Sequence, residues 1–284
     1  MKILLVIDQY ENSNNGTTIS ARRFAEGLQK RGNTVTVLTT GKEGENKFIV
    51  KSLKLPIGIS GIIKSQGMNF AVPDKEIIKK AMQDVDLVHF YMPFWLSRSA
   101  KKIADELKIP NTAAFHVQPE NITYTIKMGK VKLINDKIYE EFRDDFFNKF
   151  NRIHCPSNFI ANQLKEHGYT AKLYVISNGI QDKFKYLPKE KNDKFIITMV
   201  GRLSGEKRQD LLFEAIKKSK HEKDIQLVLA GKGPKYKQYV KMGEELSNKP
   251  IIQFYNEEEL LKLLNKTDLY VHTSDAEIEA ISCI

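Results

Sequence analysis

Glycines beside fixed cations, placed where an apolar strand gives way to a helix, are well suited to holding a phosphate. Val200-Gly201-Arg202-Leu203-Ser204-Gly205-Glu206-Lys207 has this pattern. Gly201 and Gly205 permit a tight turn and close backbone approach, a helix opening at Lys207 would turn its N-terminus to an anion, and Arg202 and Lys207 add fixed charge. The parts differ from those of a P-loop. An ordinary strand–helix turn with solvated charges has the same composition, so the residues alone leave both readings open. Both cations are expected at a solvent-facing turn, where replacing them leaves the fold intact.

Three further stretches lie at predicted strand ends. Ala230-Gly231-Lys232-Gly233-Pro234 is a second glycine turn, and residues 12–16 (NSNNG) are flexible enough to bring the amides near Gly16 close to a ligand. Ser274-Asp275-Ala276-Glu277 carries a carboxylate able to accept hydrogen bonds from sugar hydroxyls. His116, at another strand end, reads equally as a hydrogen-bonded structural residue.

The elements that must position these residues follow from the apolar pattern. Short aliphatic runs alternate with helical segments, the signature of parallel sheets with crossover helices. Strands are predicted at 2–8, 33–39, 86–90, 111–116, 152–155 and 172–176, with helices at 18–31, 97–108, 135–150 and 157–167, the last capped by Ser157. After a charged stretch at 181–193 the rhythm restarts: strands at 195–200, 225–230, 251–254 and 268–272, helices at 207–219, 234–246 and 257–264. The expected fold is α/β: two facing doubly wound, Rossmann-like domains, residues 1–185 and 186–284, the second incomplete at its C-terminus. Ligands bind such domains at the carboxyl ends of the strands, so a cleft between them is the expected site.

Together the elements NNG, HVQPEN, ISNGI, GRLSGEK, AGKGP and HTSDAE resemble, in order and across essentially the whole chain, glycosyltransferase family 4 with its GT-B fold. Within that group FHVQPENITYTIKMGK is most similar to bacterial diacylglycerol glucosyltransferases. The resemblance implies a retaining enzyme that moves a hexose, expected to be glucose from UDP-glucose, to a membrane lipid such as diacylglycerol, with no metal or cofactor. It implies a donor site of Gly16, Gly201, Arg202, Lys207, Gly231, Gly233 and Glu277. Arg202 and Lys207 stabilise the departing diphosphate, Glu277 touches the sugar, and His116 positions the acceptor. Lys232 stands where many relatives have an acid. Glu277 matches the first glutamate of an E-X7-E motif whose second member falls at position 285, one past Ile284. A poor catalyst with Glu277 on a frayed terminus is therefore expected. A soluble or polysaccharide acceptor, and a non-catalytic nucleotide-sugar binder, stay open as alternatives.

Charge bears on the partner. Of 45 Lys/Arg and 35 Asp/Glu, the first 190 residues hold 29 and 20. Lys51, Lys54 and Lys64 lie among Leu53, Leu55, Ile57, Ile62 and Phe70 without an acid between them. Such interleaving suits an anionic bilayer surface, and equally a strand and loop packed on the sheet with lysines outward. The stripe Ile138, Phe142, Phe146, Phe150 reads as core, since acids share its helix. No nucleic-acid module appears, and residues 8–16 lack the dinucleotide turn of a dehydrogenase. Two cysteines form no disulfide framework, and no apolar run is long enough for a signal peptide or a span. The expectation is a cytoplasmic, peripherally membrane-associated protein.

Overall fold

The computed structural model describes residues 1–11, 16–54, 69–124, 128–129, 131–181, 184–188 and 191–283. It divides into two compact units, Met1–Asn178 and Gly179–Ile284. The boundary falls ahead of the 185 expected from composition. Leu187, inside the charged stretch, donates its N–H to Asn265 Oδ1 at 2.6 Å and so belongs to the second unit.

The first unit runs β1 (Lys2–Gln9), α1 (Gly16–Lys30), β2 (Thr34–Thr40), β3 (Lys47–Ile49), α2 (Lys75–Ala81), β4 (Leu87–Phe90), α3 (Trp95–Glu106), β5 (Asn111–Ala114), α4 (Pro119–Thr123), α5 (Lys132–Asp145), β6 (Arg152–Cys155), α6 (Asn158–Glu166) and β7 (Lys172–Val175). Its sheet has the order β3-β2-β1-β4-β5-β6-β7, all parallel. Leu4–Ile7 of β1 are fully buried, as a central parallel strand covered on both faces requires. Strand order reverses between β1 and β4, so the carboxyl ends of these two strands flank a crevice.

The second unit runs β8 (Phe195–Val200), α7 (Asp210–Lys217), β9 (Ile225–Ala230), α8 (Tyr236–Gly243), β10 (Ile251–Gln253), α9 (Glu257–Lys266) and β11 (Leu269–Tyr270). Its parallel sheet has the order β10-β9-β8-β11, with the reversal between β8 and β11. Met199, Leu227, Leu229, Phe213 and Tyr239 form its core.

Two local readings of the sequence need correction. The helix expected over 135–150 ends at Asp145; Phe146 leaves helical geometry and a 3-10 turn, Phe147–Lys149, follows. The break lets adjacent rings go separate ways: Phe146 packs on Phe90, and Phe147 on Phe115 and Tyr169. Phe142, Phe146 and Phe150 are core, as expected. The helix expected from Lys207 begins at Asp210, after a 3-10 turn (Gly205–Lys207) and Arg208 at φ +52°. The basic segment near residue 50 contributes β3 and an antiparallel bridge between Ser52 and Ala71, and Lys47 pairs with Glu11 at 3.2 Å. The described ends of that segment therefore pack on the sheet.

Candidate functional site

The second unit gathers its chemistry at the β8/β11 reversal. The two glycine turns are laced together there: Gly201 N–H donates to Ala230 O at 3.0 Å, Leu203 N–H to Lys232 O at 3.0 Å and Lys235 N–H to Leu203 O at 2.9 Å. A Cβ on Gly231 would lie 1.9 Å from Gly201 O, and one on Gly233 2.3 Å from Leu203 O. Close approach of one turn to the other thus requires both glycines, whatever binds outside. Gly231→Ala is expected to push the turns apart and lower the melting temperature by several degrees, roughly 2 kcal/mol. An unchanged melting curve would show that the turns accommodate the methyl group.

Within this frame the cations are already engaged. Arg202 Nη2 donates to Glu206 Oε1 at 2.6 Å, and Ser204 Oγ donates to the same oxygen at 2.6 Å. Glu206 is 2% exposed. Burial pushes its carboxyl up, but the Arg202 charge and the Ser204 hydroxyl outweigh it and hold Glu206 below its ordinary range. Lys207 Nζ donates to Glu277 Oε1. That oxygen also faces His272 Nε2 at 2.7 Å and accepts from Ser274 Oγ at 3.1 Å. Burial again acts upward on Glu277, and the His272 hydrogen bond and the Lys207 charge outweigh it, so its carboxyl is lowered.

The loop after β11 is tied down along its length. Thr273 Oγ1 donates to Lys207 O and Arg208 O, both at 2.9 Å; Asp275 N–H donates to Glu206 O at 2.8 Å; Arg208 Nη1 reaches Asp275 Oδ2 at 3.0 Å. Glu277 is therefore held, not frayed as the sequence suggested. Because α7 opens at Asp210, with an acid in its first turn, no helix N-terminus backs Lys207. An anion here would meet side-chain cations and turn amides.

The first unit carries the other expected residues. Gly16 opens α1, with open space where a Cβ would stand. His116 lies just beyond β5, 4% exposed, stacked on Tyr91 at 5.2 Å and edge-on to His154 at 5.6 Å. Burial, with His154 and His89 nearby, holds its pKa well below the usual histidine value, so the ring is neutral at pH 7. Thr17 Oγ1 donates to His116 O at 3.2 Å and Thr18 Oγ1 to Gln9 O at 3.2 Å, so the first turn of α1 bridges the ends of β1 and β5. His116 Nε2, both ends of the Gln9 amide and Asp8 Oδ1 are buried without a hydrogen-bond partner. Lys51 and Lys54 are exposed; Lys64 lies outside the described residues.

Thus Arg202, Lys207, Glu277, Gly201, Gly231 and Gly233 come together in the second unit, while Gly16 and His116 share the first. Sequence reasoning missed Glu206, His272, Asp8 and Gln9. Glu206 and His272 stood inside the quoted motifs, and only their partners mark them. Among the described residues, no group of three His, Cys, Asp or Glu is arranged to hold a metal ion.

A sequence profile of glycosyltransferase family 4 matches residues 14–184, and one of glycosyl transferases group 1 matches residues 181–284. The chain is 26% identical over 250 residues to the alpha-monoglucosyldiacylglycerol synthase of Streptococcus pneumoniae, covering 82% of this chain and 56% of that protein. It is 23% identical over 293 residues to a GDP-mannose-dependent alpha-mannosyltransferase of Corynebacterium glutamicum, covering 98% of this chain and 68% of that one. The chain thus spans little more than half the length of the first of these relatives. Among solved structures, Anabaena Alr3699/HepE in complex with UDP and glucose superposes with a TM-score of 0.65 at 15% identity, covering 97% of this chain and 75% of that chain. TarM superposes with a TM-score of 0.70 at 13% identity, covering 99% and 82%. These likenesses assign the GT-B fold class. With the family's profile matched over more than half of its residues, the chain belongs to glycosyltransferase family 4.

Proposed function

We propose that this chain carries out retaining transfer of a hexose, glucose from UDP-glucose, to a membrane lipid with a free hydroxyl such as diacylglycerol. The observation that carries the reading is the Arg202–Lys207 turn at the β8/β11 reversal, with Glu277 clamped beside it. Breaking the bond between the anomeric carbon and the diphosphate develops negative charge on the phosphate oxygens. Fixed cations there lower the barrier, so Arg202 and Lys207 take the role a metal would otherwise play. Gly201, Gly231 and Gly233 shape the turn against which the donor lies, and Glu277 accepts from the sugar hydroxyls. The acceptor hydroxyl attacks the anomeric carbon, and its proton leaves with the diphosphate. His116 positions that hydroxyl, and the unpaired atoms of His116, Gln9 and Asp8 supply hydrogen-bonding capacity that the acceptor's hydroxyl and ester oxygens would engage.

The pneumococcal relative's name, a glucosyldiacylglycerol synthase, supports the sugar and the lipid. The Anabaena structure's UDP and glucose support the donor. GDP-mannose is the second reading, favoured by the corynebacterial relative that covers 98% of this chain. Transfer assays with UDP-glucose and GDP-mannose, each against diacylglycerol and a soluble oligosaccharide, test these choices. Glycolipid formed from UDP-glucose alone supports the first, and product only on the soluble acceptor removes the lipid.

Among the described residues no helix is long and apolar enough to cross a membrane. The proposed lipid contact is peripheral: exposed Lys51 and Lys54, with Trp95, 54% exposed, packed on Phe70 at 5.6 Å. Each lysine near an anionic surface contributes ~1 kcal/mol. The protein is expected to sediment with vesicles rich in anionic lipid and to release as salt rises. Lys51→Glu with Lys54→Glu should weaken that binding about tenfold or more. Equal, salt-insensitive binding to neutral vesicles would remove charge from the account.

A further inference from the structure

Arg208 follows the two proposed diphosphate cations in a conformation that arginine does not favour. At φ +52° and ψ +37° its backbone is left-handed, a region that glycine enters without strain and a residue with a Cβ enters at a cost. What the side chain holds there offsets that cost. Its fork spans two carboxylates: Nε and Nη2 donate to Asp210 at 3.2 Å, and Nη1 donates to Asp275 Oδ2 at 3.0 Å. Asp210 is local, at the start of α7, whereas Asp275 lies 67 residues on, in the loop after β11.

That loop is fastened to the turn at alternate residues. Thr273 Oγ1 donates to Lys207 O and Arg208 O, and Asp275 N–H donates to Glu206 O at 2.8 Å. Ser274 and Glu277, in contrast, meet each other, with Ser274 Oγ donating to Glu277 Oε1 at 3.1 Å. We propose that Arg208 is a positioning residue for the sugar end of the donor site: its left-handed backbone aims the guanidinium at Asp275, and that pair sets where Glu277 stands relative to Arg202 and Lys207. The inference rests on the reading of Arg202 and Lys207 as the diphosphate cations and of Glu277 as the carboxylate that meets the sugar.

Donor binding is what makes the clamp necessary. Before it, Lys207 Nζ donates to Glu277 and ties the loop to the turn directly. A lysine that turns to a phosphate gives up that tie, and the Arg208–Asp275 pair still joins the two segments through a charge-assisted hydrogen bond. Arg208 itself is occupied by its two carboxylates and touches neither phosphate nor sugar. Its loss should therefore separate the sugar from the nucleotide: a displaced Glu277 misses the hexose hydroxyls, while the diphosphate still meets Arg202 and Lys207.

Arg208→Gly removes the fork and leaves a residue at ease at φ +52°, so the turn itself is kept. Calorimetry of the 284-residue chain with UDP and with UDP-glucose reads the two ends of the donor separately. In Arg208→Gly, affinity for UDP is expected to stay within about threefold of wild type, and affinity for UDP-glucose to fall about tenfold, the value of a lost hydrogen bond to a charged group. Asp275→Ala should reproduce this pattern, and the double variant should bind UDP-glucose no more weakly than either single one, because both changes delete the same contact. Unchanged UDP-glucose affinity in Arg208→Gly overturns the proposal. Equal losses for UDP and UDP-glucose overturn it too, since they would make the clamp a support for the whole turn, and losses that multiply in the double variant remove Asp275 as the route. In each of these cases wild-type binding leaves the donor reading standing. Failure of the wild-type chain to bind either ligand removes the inference together with that reading.

Discussion

Lys207→Ala is expected to lower hexose transfer by about 2–4 kcal/mol of transition-state stabilisation, roughly 30- to 1,000-fold, with little change in melting temperature. Arg202→Ala should lose as much activity and should also destabilise the second unit. The difference lies in what each cation leaves behind. Without Lys207, Glu277 still meets His272 at 2.7 Å and Ser274 at 3.1 Å. Without Arg202, Glu206 stays buried at 2% exposure with Ser204 Oγ as its side-chain donor. Stranding a buried charge in this way costs about 3–5 kcal/mol, and the low end applies because Arg202 keeps 22% of its side chain exposed. The sequence suggested that the fold would survive both changes; the Arg202–Glu206 pair corrects that for Arg202. Arg202→Ala combined with Glu206→Gln separates the two losses, since stability should return while transfer does not. Near-normal transfer in Lys207→Ala would remove the diphosphate assignment, and an Arg202→Ala protein as stable as wild type would remove the argument from burial.

How far this site was legible depends on the range of the interactions that build it. The GRLSGEK turn declares itself, because glycines, cations and a preceding apolar strand are all local. Both glycines of AGKGP are visible for the same reason, but not their purpose, which is the approach of Gly231 and Gly233 to the backbone of Gly201 and Leu203. Glu206 and His272 gain meaning only from partners. His272 meets Glu277 five residues on, and Glu277 meets Lys207 on a turn 70 residues away, brought near because β8 and β11 pair in parallel with Leu269 opposite Ile197. Register of that kind follows from the sheet and not from spacing along the chain. The start of α7 was misread because Lys207 and Arg208 are good helix formers, while their hydrogen bonds and pairings hold a 3-10 turn and a left-handed residue. Alternating strands and helices, in contrast, are written in local hydrophobicity, so the doubly wound layout of both units could be read directly.

Acidification from about pH 6.5 to about pH 4 is expected to unfold the first unit more readily, against an opposing contribution from Asp8. Burial lowers the His89 pKa to about 3 and holds that of His116 well below its ordinary value. Below about 6.5 the unfolded chain takes protons that these folded imidazoles refuse, so His89 removes about 1.4 kcal/mol of stability per pH unit as pH falls, and His116 acts in the same direction. Asp8 works the other way. Burial pushes its carboxyl up from 3.8 to about 7, so the folded state holds a proton that the unfolded state has lost. Stability from Asp8 is fully present below 3.8 and is lost as pH rises toward 7, at the same slope. Two histidines against one aspartate leave a net loss of stability toward acid from these three groups. Trp95, the only tryptophan, lies in α3 and reports on this unit by its fluorescence. Urea titrations at pH 6.5, 5.5 and 4.5 should therefore show falling midpoints. Asp8→Asn keeps an acceptor for the Ala71 N–H, which now donates to Asp8 Oδ2 at 2.9 Å, and deletes the opposing slope. In that variant the fall should steepen by about 1.4 kcal/mol per unit. An identical pH dependence with and without Asp8 would mean that its carboxyl is already ionised in the folded protein.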